Sequence, residues 1–179
     1  MQEKNSVRRK YYLLRKKKYF EIRKEFFNPL VLLIKSKFKK KKLKLALYYP
    51  SSFETNVLKL LELNYISNKD ILLPVIEENN SMNFFPWKKD GVLHVNKFGM
   101  LEPVKSKLNI PNIMLVPLLA FDKDKNRLGY GKGFYDRYLN NFKNILTIGV
   151  AFSFQKYHNL PVNNKDVKLD YILTEKGIY

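Results

Sequence analysis

With 179 residues, 28 of them lysine and six arginine, the chain carries a formal net charge of +18 and contains no cysteine. That length suits one domain with a real core, and the missing thiols exclude disulfides, thiolate catalysis and cysteine-based zinc sites. Apolar runs such as 113–116 and 145–152 fall far short of the roughly 20 residues a membrane-spanning helix needs, and the start Met-Gln-Glu-Lys-Asn-Ser lacks an apolar signal core, so a soluble, cytoplasmic protein is predicted. The charge is uneven: residues 1–44 hold seventeen of the 34 basic side chains against only Glu3, Glu21 and Glu25, and seven lysines fall within 35–44. Two readings follow, a solvated surface in a lysine-biased chain or a nucleic-acid-binding region. The first is preferred, because net charge bears on solubility and association before it bears on mechanism.

Val7, Tyr11, Leu14, Ile22 and Phe26 recur at helical spacing without a breaker between them, which predicts a helix over 7–27. Asn28-Pro29 ends or kinks it, and a second helix is expected over 30–40. Residues 43–49 read as a short buried strand, followed by the turn Pro50-Ser51-Ser52 and a helix over 53–63 with Val57, Leu60 and Leu61 on its apolar face. Further strands are predicted at 71–76, 82–87 and 112–116. A glycine-rich loop then leads into a helix over 134–142, a strand at 145–152 and a last strand at 171–174. Strands separated by helices predict an α/β fold, a three-layer αβα sandwich around a mainly parallel, Rossmann-like sheet. It forms one domain over 1–179, with a basic helical region at 1–44. Ligands of such sheets bind at the carboxyl ends of strands, the edge at which the loop 120–133 is expected.

Three of the seven glycines, Gly129, Gly131 and Gly133, fall within five residues. Glycine permits backbone torsions closed to other residues and leaves bare N–H groups free to converge on an anion. The spacing does not fit the Walker loop, which needs four residues between its glycines, nor the dinucleotide fingerprint, because position 134 is phenylalanine. By its physics alone the loop is either a flexible turn or an anion-binding nest in front of a helix N-terminus.

The longer string is more specific. Phe121-Asp122, followed by Arg127-Leu128-Gly129-Tyr130-Gly131-Lys132-Gly133-Phe134-Tyr135-Asp136-Arg137-Tyr138-Leu139, resembles the signature of the 5-formyltetrahydrofolate cyclo-ligases, also called methenyltetrahydrofolate synthetases. Lys4 to Arg8 is similar to the family's amino-terminal Lys-x-x-Leu-Arg, with Val7 in place of leucine. Tyr49 and Glu54 resemble its substrate-side pair, and Leu73-Pro74, Leu101-Glu102-Pro103, Val116-Pro117, Ile148-Gly149-Val150-Ala151-Phe152, Asp166-Val167 and Thr174-Glu175 follow in the family's order. Two positions depart from the pattern: Leu118 stands where many members have glycine, and Phe134 replaces the first tyrosine of Tyr-Tyr-Asp.

The resemblance implies a ligase that forms a C–N bond. It would convert 5-formyltetrahydrofolate, with or without a polyglutamate tail, to 5,10-methenyltetrahydrofolate, using ATP with Mg2+ and releasing ADP and phosphate. In a mechanism of the family's type the formyl oxygen is phosphorylated and N10 then closes the ring, which asks for positioning and charge stabilisation rather than a protein nucleophile. The resemblance implies Lys132 and Arg127 as catalytic cations. It places Lys4, Arg8, Leu128, Gly129, Tyr130, Gly131, Lys132, Gly133, Phe134, Tyr135 and Asp136 around ATP, and Tyr49, Glu54, Tyr130, Lys132, Phe134 and Tyr135 around the folate. Asp136 and Asp166 are its Mg2+ ligands, with Asp170 an alternative to Asp166, and Lys10 with Arg15 an alternative to Lys4 with Arg8. Other readings stand beside these: Arg127 pairing with Asp122 or Asp124, and Glu54 serving a helix N-terminus. A monomer acting on small molecules is expected, without nucleic acid or membrane.

Overall fold

The computed structural model describes residues 2–39 and 42–179, and the chain opens with helix α1, Gln2–Lys18. Periodicity alone carries this helix to residue 27. It ends earlier because the chain after it is pinned by tertiary contacts: Tyr19 packs against the core with its ring 5.9 Å from that of Phe152, Phe20 lies 4.6 Å from the same ring while staying exposed on its other side, and Ile22 is buried. Helix α2, Asn28–Lys37, begins with Pro29 in its first turn, where a missing N–H costs no helical bond. It stops at Lys37, with Phe38 already out of helical conformation, short of the end expected at Lys40, a residue outside the described ones.

Strand β1, Lys44–Ala46, is followed by a 3-10 helix at Val57–Glu62 and the single-turn helix α3, Asn64–Ser67, instead of an α-helix over 53–63. The buried residues Val57 and Leu60 are three apart, the period of a 3-10 turn, and the Asn56 side chain accepts the Leu58 N–H at 3.2 Å. Strands β2, Asp70–Ile76, and β3, Met82–Pro86, fall where the apolar runs predict. Two small hairpins do not: β4, Leu93–Val95, with β5, Leu101–Pro103, and, after β6 at Ile113–Pro117, β7, Ala120–Phe121, with β8, Arg127–Leu128. Helix α4, Phe134–Asn141, and strands β9, Leu146–Val150, β10, Tyr171–Thr174, and β11, Gly177–Ile178, complete the chain.

The main sheet has the order β11-β10-β9-β6-β1-β2-β3. Its inner strands β10, β9, β6, β1 and β2 are parallel, and the edge strands β3 and β11 pair antiparallel. Side chains alternate along each strand and fill two cores. Leu45, Leu73, Leu115, Ile148 and Leu173 join Leu30, Ile34 and Leu60 on one face. Ala46, Leu72, Met114, Val116 and Ile172 join Tyr138 and Leu139 of α4 on the other. Burial from both sides explains why β6 is apolar throughout and yields the three-layer α/β architecture that the alternation of elements predicts.

Strand order reverses between β1 and β6, the position where the loops leaving a parallel sheet diverge and open a crevice. Helix α1 lies over this region rather than on a sheet face. Its Val7 and Tyr11 pack with Leu119, Ala120, Leu128 and Leu160, and the Tyr11 hydroxyl donates to Lys156 O at 3.0 Å. The basic region is thereby divided between a helix covering the loop after β6 and a helix, α2, in the sandwich. Among the described residues no helix is long and apolar enough to cross a membrane.

Leu115 sits fully buried on the central strand. Leu115→Ala is expected to cost about 2–5 kcal/mol, seen as a lower urea midpoint with an unchanged slope; a midpoint like that of the wild type would contradict this placement of the core.

Candidate functional site

Strand β8 delivers the chain to Gly129, and α4 carries it away from Gly133. Gly131 and Gly133 adopt φ of +97° and +70°, in the left-handed region that favours glycine. Each glycine also leaves room for a guanidinium. A Cβ on Gly129 would stand 3.0 Å from Arg127 Nη1, one on Gly131 3.2 Å from Arg8 Cζ, and one on Gly133 2.9 Å from Arg137 Nη1. Arg8 Nε donates to Gly129 O at 2.9 Å, and Arg137 donates to Lys132 O at 2.9 Å and Asn80 O at 2.8 Å. Lys132 is exposed, with Nζ 5.6 Å from the ring of Phe98 in the β4–β5 turn, and Phe134 lies 5.8 Å from the same ring.

Two carboxylates stand beside the loop, each paired with a cation. Arg127 Nη2 donates to Asp136 Oδ1 at 2.9 Å, and its Cζ lies 5.6 Å from the Tyr135 ring centroid. Asp136 Oδ1 also accepts the Val167 N–H at 3.1 Å. The preceding residue, Asp166, forms an ion pair with Lys4. Arg127 therefore pairs with neither Asp122 nor Asp124. Asp122 is buried and holds the β7–β8 turn, accepting from Asp124 N, Asn126 N and Leu160 N at 2.9, 3.0 and 3.2 Å. Asp170 is likewise structural, accepting from Thr147 N at 2.8 Å.

The loop after β1 faces this arrangement. Glu54 does not open a helix; its carboxylate closes the 51–54 turn, with Oε2 accepting Ser51 N at 2.9 Å. Its Oε1 accepts from the Tyr130 hydroxyl at 2.7 Å, and that hydroxyl in turn accepts from Arg15 Nη2. Tyr130 exposes much of its ring while its hydroxyl is enclosed, and burial first, then the Glu54 charge, pushes that hydroxyl far above its ordinary value. Burial also raises the Glu54 carboxyl, against the opposing effects of Tyr130, Ser51 and Arg15. Ser52 and Phe53 adopt φ of +48° and +64°, two successive non-glycine residues in the left-handed region, a strain characteristic of functional loops. A cleft of about 320 Å³ opens here, lined by Tyr19, Pro50, Ser51, Ser52, Phe53, Glu54 and Asn56. Tyr49 stands apart from the polar chain, edge-on to Trp87 at 6.5 Å.

The 5-formyltetrahydrofolate cyclo-ligase family model matches residues 2–175. The chain belongs to this family. It is 37% identical over 141 residues to a 5-formyltetrahydrofolate cyclo-ligase of Haemophilus influenzae, covering 72% of this chain and 74% of that one. It is 34% identical over 134 residues to that of Mycoplasma genitalium, covering 72% and 70%. The fold is similar to a 5,10-methenyltetrahydrofolate synthetase from Aquifex aeolicus, with TM-score 0.77, 32% identity and coverage of 98% of this chain and 91% of that one. For a synthetase from Mycoplasma pneumoniae the values are 0.71, 27%, 97% and 99%.

Within this cyclo-ligase fold, Arg8 and Arg127 lie against the glycine loop, Asp136 pairs with Arg127 beside it, Lys4 pairs with Asp166, and Glu54 reaches the loop through Tyr130. Two arginines at the same loop escape sequence reasoning. Arg137 is singled out by nothing but its place in the string, and Arg15, offered only as an alternative to Arg8, occupies a different position from it. One available signal is scarcity: the chain has only six arginines.

The sign of the Glu54 shift sets a pH dependence. A carboxyl raised on folding contributes stability below its unfolded value, near 4.5, and that contribution is lost as pH rises through the folded value. The stability of the wild type relative to Glu54→Gln is therefore expected to fall as pH rises above about 4.5. Parallel stability curves for the two proteins would show that Glu54 is not held in this way.

Proposed function

We propose that the chain closes 5-formyltetrahydrofolate to 5,10-methenyltetrahydrofolate with ATP and Mg2+, the glycine loop holding phosphates and the loop after β1 holding the folate. The observation that carries this reading is the single hydrogen bond from Tyr130, inside the glycine loop, to Glu54 in the strained turn beside the cleft. It joins an anion-binding element to a pocket within one family-matched chain. When bound, ATP supplies the phosphoryl group that makes the formyl oxygen a leaving group, and Mg2+ neutralises phosphate charge.

The residues present fit these groups. The backbone of Gly129, Gly131 and Gly133 is bare of side chains and fronts the N-terminus of α4, an anion-attracting arrangement. Arg8, Arg127 and Arg137 lie against it, and Lys132 adds an exposed ammonium. Asp136 and Asp166 offer hard oxygen ligands; no group of three His, Cys, Asp or Glu side chains gathers among the described residues. A pair of carboxylates suits Mg2+, which takes much of its shell from phosphate and water. In this reading Arg127 and Lys132 stabilise charge on the transferring group, and Lys4 and Arg8 hold the nucleotide's phosphates. Glu54 and Tyr49 orient the folate beside Tyr130, Phe134 and Tyr135. Phe134 lacks the hydroxyl of the family's usual tyrosine, so any hydrogen bond from that position is absent here.

The test is incubation with 5-formyltetrahydrofolate, ATP and Mg2+, following methenyltetrahydrofolate by its absorbance. Folded protein that makes no product would refute the reading. Asp136→Asn is expected to lower turnover by about a hundredfold or more, the scale of losing one positioned electrostatic group, with its circular dichroism unchanged. Turnover at the wild-type rate would remove Asp136 from the metal role.

A further inference from the structure

Arg15 is 1% exposed, one of the largest fully buried side chains of the molecule. Its direct partners carry no charge. Nη1 donates to Leu118 O at 3.2 Å, and Nη2 donates to Ser52 O at 2.8 Å and to the Tyr130 hydroxyl. Nε is buried without a partner. The guanidinium also lies 5.6 Å from the Tyr130 ring centroid, and its charge reaches Glu54 through the Tyr130 hydroxyl.

Burying a guanidinium in this way is a poor source of stability, since the desolvation cost of an ion often exceeds what its contacts return. Its contacts are better explained by what they join. Leu118 follows β6, Ser52 belongs to the turn after β1, and Tyr130 belongs to the glycine loop. One planar fork thus ties both sides of the strand-order reversal to the phosphate loop, and the Tyr130 hydroxyl, accepting from Arg15, is left to donate its proton to Glu54.

We infer that Arg15 is a positioning residue for this reaction: it fixes the 51–54 turn against the glycine loop and orients the Tyr130 hydroxyl toward Glu54. This role rests on the cyclo-ligase reading. Buried from solvent, Arg15 acts through Tyr130 and Ser52, so its removal misaligns two loops that each still bind. The expected signature is a loss in kcat exceeding the change in either KM, on the order of a hundredfold for a small displacement of reacting groups.

The experiment is a double-mutant cycle in full-length protein with Arg15→Met, Tyr130→Phe and their combination, together with Arg15→Lys, measuring kcat and both KM values after thermal unfolding has established that each variant is folded. Wild-type turnover establishes the reaction independently of this inference. The double variant is expected to be about as slow as the slower single variant, as for residues that act as a unit, and Arg15→Lys, which keeps the charge and loses the fork, to recover part of the kcat of Arg15→Met. Multiplicative losses, wild-type kcat in Arg15→Met, or an effect confined to KM or to melting temperature would overturn the inference. Should Arg15→Met not fold, the cycle is run with Arg15→Lys and Tyr130→Phe and judged by the same criterion.

Discussion

The structure depends on a steric vacancy. Three α-carbons in five residues carry no side chain, and the space they leave lets the guanidinium groups of Arg127, Arg8 and Arg137 come within 3.0, 3.2 and 2.9 Å of where Cβ atoms would stand. A methyl group at Gly131 or Gly133 would add left-handed strain to the clash, since both have positive φ. The glycine spacing that fits neither standard phosphate motif is therefore the spacing that admits arginines from α1, from β8 and from α4. The loop is built as much by what approaches it as by its own backbone.

That approach is possible because of where the sheet reverses its order. β1 and β6 are parallel neighbours, and the chain leaves them in opposite lateral directions, toward β2 on one side and β9 on the other. Their carboxyl ends place the 51–54 turn beside the β7–β8 hairpin, and α1 covers the hairpin with Val7 and Tyr11. The next buried position on the same helical stripe is Arg15, four residues beyond Tyr11. Core packing of the first two residues thus delivers the third, a charge, to the meeting point of the two loops.

How much of this is legible from the chain follows from the length of each signal. The inner strands are readable because burial on both faces makes continuous apolar runs, as in Ile113–Pro117. The hairpins are not: strands of two and three residues carry no period to detect. The early end of α1 is set by the contacts of Tyr19 and Phe20 with Phe152, more than 130 residues away in sequence. At the site, the order of short motifs brings Asp136, Arg127, Lys4 and Glu54 into view. The partner of each does not follow from it. Asp136 and Arg127 are nine residues apart, yet Lys4 meets Asp166 across 162 residues and Arg8 meets Gly129 across 121. Such pairings are properties of the closed fold.

Charge number and charge placement are separate matters in this molecule. Lysine supplies most of the net charge of +18, and many lysines stand on exposed surface where any cation would serve. Four of the six arginines, Arg8, Arg15, Arg127 and Arg137, lie at the glycine loop. Arg137 holds two carbonyl oxygens, Arg8 a carbonyl and the Asn5 side chain, and Arg15 two carbonyls and a hydroxyl. A planar fork can bind several fixed acceptors at once, whereas an ammonium on a flexible stem is a point charge that fixes none of their relative positions. In a chain whose default cation is lysine, arginine at this loop is accounted for by geometry: Arg8, Arg15 and Arg137 hold backbone carbonyls in register around the loop, and Arg127 holds the Asp136 carboxylate beside it.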